Sequence, residues 1–555
     1  QGLQIKSRLG RNYVTLKGDA ADKLTLSRHD SVPYNMYPLQ RPGLDGDLLY
    51  RRLFIARVGE RALQAGERVQ FVLGANFRQI TAPTSADPEH ELRITTDTDG
   101  DGTFTRIAAS PQIAIEPAAA SVLSASIPAQ FKRGEAIEVV IRAEDAFLNV
   151  DTAYTGYASI RDEKGRLLAS RIPLRRGIGR AILHIDESGP QRLRLSTGPL
   201  AGRSNPARVF DELPRFRLYW GDLHGHTQVS DGLGPGADAY MRYGREVTGL
   251  DVVALTDHAH FDWPANIAAV KRWHEPGRYV TLLAQEAGAR QDHMNLYYRR
   301  DDTPHLAVWQ GLYDKFIEGA YRQYNADSPA QAITGPHHFS YDRGDERYPF
   351  DVWDDRIARL VEVYSSHGAS EYLGNPRPLK SAVTDDPRKF MQHGLAQGLR
   401  FGVIGASDNH DSRPGRSTWG AYPGGMAGIW ATSLTREAIW DGLWNYRVYG
   451  TSLDRIYLEF TINDEMPGSQ LAPGQALDIN AYVIGKEDKL TLTLVRDNQD
   501  IETVHTDNGV IDFQTRDWPK GGSHFYYLRV TQDNGERAWS TPIWVGEITA
   551  SGGTP

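Results

Sequence analysis

No cysteine occurs among the 555 residues, which excludes disulfides, thiolate metal ligands and cysteine nucleophiles together. Any bound metal must therefore be held by His, Asp or Glu. No stretch approaches the roughly 20 apolar residues that a bilayer-spanning helix needs, and no lipidation motif is present, so no membrane span is expected. Basic runs are missing as well. The 62 Lys and Arg against 70 Asp and Glu leave a formal charge of −8, which argues against a nucleic-acid partner held by bulk electrostatics. A small anionic substrate would have to be gripped locally. The chain opens at Gln1 with no initiator Met, as a processed mature protein would, and a periplasmic or secreted location is the expectation.

The length exceeds what one hydrophobic core usually supports, so several domains are expected. Short alternating segments such as E-R-V-Q-F-V-L, A-I-E-V-V-I-R-A, G-Y-A-S-I-R and R-A-I-L-H-I recur between turn signals in the first two hundred residues, and they read as strands. A Pro- and Ala-rich joint at 115–128 separates an N-terminal β domain (1–115) from an immunoglobulin-like sandwich (116–213). From about Arg215, apolar β runs alternate with helical stretches such as A-D-A-Y-M-R-Y-G-R-E and N-I-A-A-V-K-R-W-H, the rhythm of an α/β barrel or layered sheet over 214–450. Alternation returns in Y-L-E-F-T-I, L-T-L-T-L-V-R and H-F-Y-Y-L-R-V-T, giving a closing β-sandwich over 451–555.

The informative feature lies in the middle of the chain. D-L-H-G-H-T-Q-V-S-D carries His224, His226 and Asp231, and V-V-A-L-T-D-H-A-H carries Asp257, His258 and His260. L-L-A-Q-E ends on Glu286, I-T-G-P-H-H on His337 and His338, V-E-V-Y-S-S-H holds Glu362 and His367, and F-G-V-I-G-A-S-D-N-H holds Asp408 and His410. A single histidine after a strand is usually structural. Here one β-prone run after another delivers metal-ligand types at or just after its C-terminal end, where an α/β barrel keeps its chemistry. Side chains two apart on an extended segment share a face, so His224 with His226, and Asp408 with His410, can grip one metal together. Glu286 can bridge two cations through its two oxygens, and Asp231 is a second candidate for sharing.

On these motifs the chain resembles the polymerase-and-histidinol-phosphatase (PHP) family. The family's opening H-x-H-T-x-x-S-D-G stands as His224, His226, Thr227, Ser230, Asp231 and Gly232; its T-D-H as Thr256, Asp257 and His258; its closing S-D-x-H as Ser407, Asp408 and His410. Glu286 takes the bridging-glutamate place, His337 or His338 the next histidine place and His367 the one after. The resemblance spans roughly 216–450, and is greatest to exported PHP-like proteins with additional β domains. It implies a distorted (β/α)7 barrel, two or three divalent cations (Zn, Mn or Fe) and, most commonly, phosphoester hydrolysis. The family usually has His-Pro at its fourth motif, whereas here Pro336 precedes His337 and His338, so either imidazole is a candidate. His293 is placed either among the ligands or behind them, and Asp257 and His260 behind the ligands or at the rim.

The expected activity is a metal-dependent hydrolase, a phosphoesterase on a small anionic ester, in which a water shared by two cations is acidified towards neutral pH. Asp231, Arg413 and Arg416 are the expected catalytic groups. The arginines, with Arg290, follow ligand strands and would hold non-bridging oxygens. Tyr341, Tyr364 and Trp419 are candidates to line the pocket. Two other readings use the same residues: hydrolysis of a carboxyl ester or amide, or a lyase reaction, on the same metals; and a non-catalytic binding protein with a relic barrel. Separately, D-T-D-G-D-G-T-F places Asp97, Asp99 and Asp101 at alternate positions as in the first half of a calcium loop, but Ala108 stands where the bidentate Glu belongs. A structural Ca²⁺ and a plain turn are equal expectations there.

Overall fold

The run Val252–Leu255 is buried at every position, which suits a strand covered on both faces and hydrogen-bonded to parallel neighbours. In the computed structural model it is β2, between β1 (Arg217–Asp222) and β3 (Val280–Gly288), and all three are parallel. The helix Trp263–Trp273 covers one face of this sheet. Asp262 caps it by accepting from the Ala265 N–H, and Trp263, Asn266, Ala269 and Val270 form its buried stripe.

The structure describes residues 14–29, 32–33, 48–49, 53–59, 61–74, 80–92, 94–102, 105–230, 232–234, 236–258, 262–288, 293–306, 313–341, 349–380 and 384–546. They form two compact units, 1–116 and 117–555. The first consists of short antiparallel pairs, among them Leu24–His29 with Leu53–Val58 and Asp87–Glu91 with Gln112–Ile115. The second is multidomain in character and rich in β structure. Its first part packs a seven-stranded sheet and a three-stranded sheet around a core running from Leu123 to Val209.

β4 (His293–Tyr298) and β5 (Ala332–Pro336) extend the β1–β3 sheet in antiparallel fashion. β6 (Leu360–Ser365) and β7 (Gly402–Gly405) form a separate parallel pair. β1 gives its other edge to β8 (Met426–Ala431), and β8 pairs with β9 (Val448–Thr451). The expected (β/α)7 barrel is therefore not seen as a clear ring of strand–helix repeats. Only five α-helices occur among the described residues. The link between β3 and β4, 289–292, is too short for a parallel crossover, which needs about a dozen residues. Between β5 and β6, and between the segments that follow β1 and β7, the contacts are isolated bridges, Thr334–Ala358 and Gly225–Asn409.

β9 pairs onward with Arg537–Ser540, so the C-terminal strands continue the same sheet. Three further strands, Tyr457–Ile462, Leu477–Ile484 and Val510–Asp517, form a second sheet against them. One apolar cluster runs from Trp220 through Leu283 to Val545. Strands β1–β5 stand on this core, whereas β6 and β7 contribute to two other clusters.

Candidate metal centre

β1 ends at Asp222, and the extended segment beyond it points His224 and His226 the same way, both fully buried. Glu286, near the end of β3, and Asp408, after β7, converge on them. His224 Nε2 lies 3.4 Å from Glu286 Oε2 and 3.4 Å from Asp408 Oδ1; His226 Nε2 lies 3.0 Å and 3.4 Å from the same two oxygens. Ligand bonds of about 2.0–2.1 Å place neighbouring donors of a tetrahedral ion about 3.3 Å apart. The spacings match the edges of such a shell, and the donor set of two imidazoles and two carboxylates suits a divalent cation.

Around this quartet the donor atoms form overlapping groups, each within 4.8 Å: Glu286, His293, His337 and His338; His226, His258 and His410; His224, His337, Glu362 and Asp408; His338, His367 and Asp408. Glu286 Oε1 contacts His337 Nε2 at 2.7 Å and also His293 Nδ1, while its Oε2 faces His224, His226 and His258. That is the geometry of a bridging carboxylate. Buried His337 Nδ1 and Glu362 Oε1 make no hydrogen bond, although the carboxylate oxygens of the cluster are 3.6–4.0 Å from that nitrogen. Unpaired polar atoms of this kind are costly unless something else satisfies them.

The charge balance has the same direction. Burial pushes the Glu286 carboxyl upward, but the imidazoles of His258, His293 and His337 hold it well below the usual range. Asp408 is likewise held low against burial, by His224 and His367. Burial, with His338 and His224 beside it, depresses His337 well below an ordinary histidine. Burial pulls His224 down, but Asp408 and Glu362 hold it well above an ordinary histidine, so imidazolium charge balances the carboxylates where a bound cation would otherwise do so, and cation binding would release that proton.

Several side chains act from behind. His224 Nδ1 is 2.9 Å from Glu362 Oε2, and Asn295 donates Nδ2 to the same oxygen at 3.3 Å. A proton on Nδ1 is thereby donated to the carboxylate, and the Nε2 lone pair faces the cluster. Tyr341 OH stands 2.8 Å from His367 Nδ1 and turns His367 Nε2 to within 2.9 Å of Asp408 Oδ2. Asp257 accepts from the Thr227 N–H (2.7 Å), the Thr227 hydroxyl (2.7 Å) and the Ser230 hydroxyl (2.6 Å), so it staples the loop after His226. Burial pushes its pKa up against these donors. His338 and Asp408 are held at positive φ, 36° and 47°, strain that clusters at functional sites. Trp419 stacks on His410 with centroids 4.2 Å apart and is 39% exposed, forming a lip.

The structure thus brings together His224, His226, His258, Glu286, His293, His337, His338, His367, Asp408 and His410, with Asp257 and Tyr341 supporting them. Both His337 and His338 present donor atoms. Asp231, His260 and Arg290 lie outside the described residues. Three expectations are corrected. Arg416 is buried and forks onto Glu144, with Nε–Oε1 at 2.9 Å. Arg413 is also buried and donates to Asn149 Oδ1. Both partners belong to the preceding sandwich, because the turn after His410 carries these guanidinium groups towards it and not over the ligands. Tyr364 does not line the cluster: it stacks on Trp539 in a separate core and donates to the Pro423 carbonyl. At Asp97 the carboxylate accepts the N–H groups of Gly100 and Gly102 at 2.7 and 3.1 Å, an exposed turn.

Sequence reasoning counted Glu362 among the ligand types without giving it the task behind His224, and it missed Asn295. The signal was present in one case: Asn295 follows His293 by two and lies opposite Glu286 in the β3–β4 register, so it shares the ligand face. Glu362→Ala is expected to weaken divalent-metal affinity roughly 10–100-fold, the usual cost of losing such a support. Glu362→Gln, which keeps an acceptor oxygen, should recover part of it. Competition against a chelating dye reads both, and unchanged affinity in both variants would remove Glu362 from the centre.

Comparison with known proteins finds relatives whose descriptions assign no activity. A family model described as a protein of unknown function (DUF3604) matches residues 411–480. An uncharacterized protein of Chlamydia trachomatis is 26% identical over 65% of this chain, and the chain spans 63% of that relative. An uncharacterized Chlamydia pneumoniae protein is 25% identical, covering 87% and 84%. Among solved structures, a two-domain protein of Bacteroides vulgatus containing a predicted PHP-like metal-dependent phosphoesterase is similar over 58% of this chain and 92% of its own, at 14% identity and a TM-score of 0.34.

Proposed function

We propose that the protein is a metal-dependent hydrolase of the PHP type, a phosphoesterase acting on a small anionic ester with two or three divalent cations. The observation that carries this reading is the quartet His224, His226, Glu286 and Asp408, whose donor spacings of 3.0–3.4 Å suit one coordination shell. Further donor groups share Glu286, His226 and Asp408 with it. The isolated bridges Gly225–Asn409, His258–Glu286 and Thr334–Ala358 support reading β1–β7 as a distorted barrel with weak seams, and the groups before and after it as separate sandwich domains.

Cations bound there would polarise a substrate oxygen and lower the pKa of water. The chain's own part is positional. Glu286 and Asp408 would offset part of the cations' charge, Glu362 and Tyr341 fix the ring orientations of His224 and His367, and Asp257 holds the loop between His226 and Ser230. Burial pushes the Glu362 carboxyl up to about 7, and its Oε2 receives the His224 Nδ1 proton. With Arg413 and Arg416 committed to Asn149 and Glu144, the cations themselves would attract substrate charge, and Trp419 supplies an apolar wall beside His410.

Metal-loaded protein assayed on phosphomonoesters, phosphodiesters and carboxyl esters tests the assignment. Turnover of a phosphoester is expected. Turnover confined to carboxyl substrates would replace the phosphoesterase reading with the carboxyl-ester one on the same residues.

A further inference from the structure

A small solvent-connected cavity of about 30 Å³ lies at the meeting of the first sandwich, the β1–β9 sheet and the C-terminal strands, and none of the cluster histidines lines it. At about 10–15 Å³ for each water, that is room for a few waters or one compact ion. Arg142, Arg203, Arg416, Arg455 and Lys486 line it, against one acid, Asp454. The other balancing carboxylates stand behind the wall. Glu144 is shared by Arg142 and Arg416, and Asp488 is forked by Arg203 at 3.0 and 3.1 Å. Lys486 pairs with Asp454 at 2.8 Å.

Arg455 is the unbalanced member. It donates to the carbonyls of Gly249 and Thr248 at 3.0 and 2.9 Å, and neutral oxygens do not cancel its charge. Burial, together with Arg142 and Arg416, draws its pKa down to about 9, the mark of crowded like charges. Asp251 also acts on it and offsets part of that charge, while burial raises the Asp251 carboxyl to about 6. Buried positive charge without a matching anion is costly unless a ligand supplies one.

We propose that this cavity binds a small multivalent oxyanion, inorganic phosphate or the phosphate group of a monoester, between Arg455, Arg142, Arg416, Arg203 and Lys486. The Ser124 and Ser126 hydroxyls at its wall donate to Glu144 and to the Thr248 carbonyl, so the donors to the ion are the guanidinium and ammonium groups. The site adjoins the metal centre through one segment. Gly415 lines the cavity and donates its N–H to Asp222 Oδ2 at 2.6 Å, and Asp222 Oδ1 accepts the Ser407 N–H at 2.9 Å. Asp408 and His410 lie between those two anchors, so occupancy can be felt at the ligands. The binding claim itself does not rest on the proposed activity.

Calorimetry of the full metal-loaded chain with inorganic phosphate at constant ionic strength, alongside glycerol phosphate and chloride, tests it. Arg203→Gln and Lys486→Gln are suitable variants, because Asp488 keeps Arg192 and Asp454 keeps Gln532 and Asn534. Saturable phosphate binding is expected in the wild type and in His224→Ala, weakened at least tenfold in the Arg203→Gln/Lys486→Gln double variant. Tighter binding of the ester than of phosphate would name a monoester as the occupant, and the reverse would name the free ion. The proposal is overturned if chloride competes equally, if no saturable heat appears, or if binding persists in the double variant and disappears in His224→Ala, which would assign the phosphate to the metal centre.

Discussion

His224→Ala and Asp408→Asn are each expected to fold and to lose turnover by at least about a thousandfold. Lewis-acid stabilisation by a bound cation is worth several kcal/mol, and about 4 kcal/mol corresponds to three orders of magnitude. Both residues contribute donors to the central quartet and to the group shared with Glu362, so either change breaks more than one shell. Asn is the better choice at 408 because the backbone there has φ of 47°, which Asn tolerates better than Ala. Circular dichroism and thermal melting would verify the fold before kcat/KM is measured. Near-normal turnover at saturating metal in either variant would remove that residue from the reaction.

Arg416→Ala should act on stability instead. Glu144 is fully buried between Arg416 and Arg142, and removing one partner of a buried pair typically costs about 3–5 kcal/mol because charge is left uncompensated. The remaining Arg142 places the expectation near about 3 kcal/mol. Arg416→Lys keeps the charge without the fork and should restore part of it. The same carboxylate predicts a pH dependence. Burial raises the Glu144 pKa, but the two guanidinium groups outweigh it and hold it at about 2, below the ordinary 4.5. A depressed carboxyl pKa contributes stability above the unfolded value and loses it as pH falls from about 4.5 towards about 2. Denaturant melts across that window should show the loss in the wild type. A melt unchanged by Arg416→Ala, with a hundredfold fall in kcat/KM, would return Arg416 to the substrate.

The contrast between these two arginine and histidine predictions shows what the sequence could carry. His224, His226, Glu286 and Asp408 were legible because their placement depends on local rules: a period of two on extended chain and a position at the end of a buried strand. Asp257 was visible but its task was not, since stapling Thr227 and Ser230 depends on how a loop folds back. Arg416 was misread for the same kind of reason. D-S-R-P-G-R announces a turn, but which wall the turn faces is decided by Glu144, 272 residues earlier in the chain. The barrel expectation rested on apolar runs alternating with helical stretches, and β4 shares that apolar character while running antiparallel. Tyr364 sits on a strand buried on both faces, where its position does not identify the side it packs against.

The central claim is that the cluster around Glu286 holds divalent cations. Its most direct test is elemental analysis of the full chain after loading and exhaustive gel filtration, beside the Glu286→Gln variant prepared identically. Two to three tightly held transition-metal ions per chain are expected for the wild type. The variant, lacking the carboxylate shared by the donor groups, should retain at least one fewer. Wild-type protein that keeps no transition metal under these conditions would contradict the account and leave the histidine cluster as a binding or structural feature.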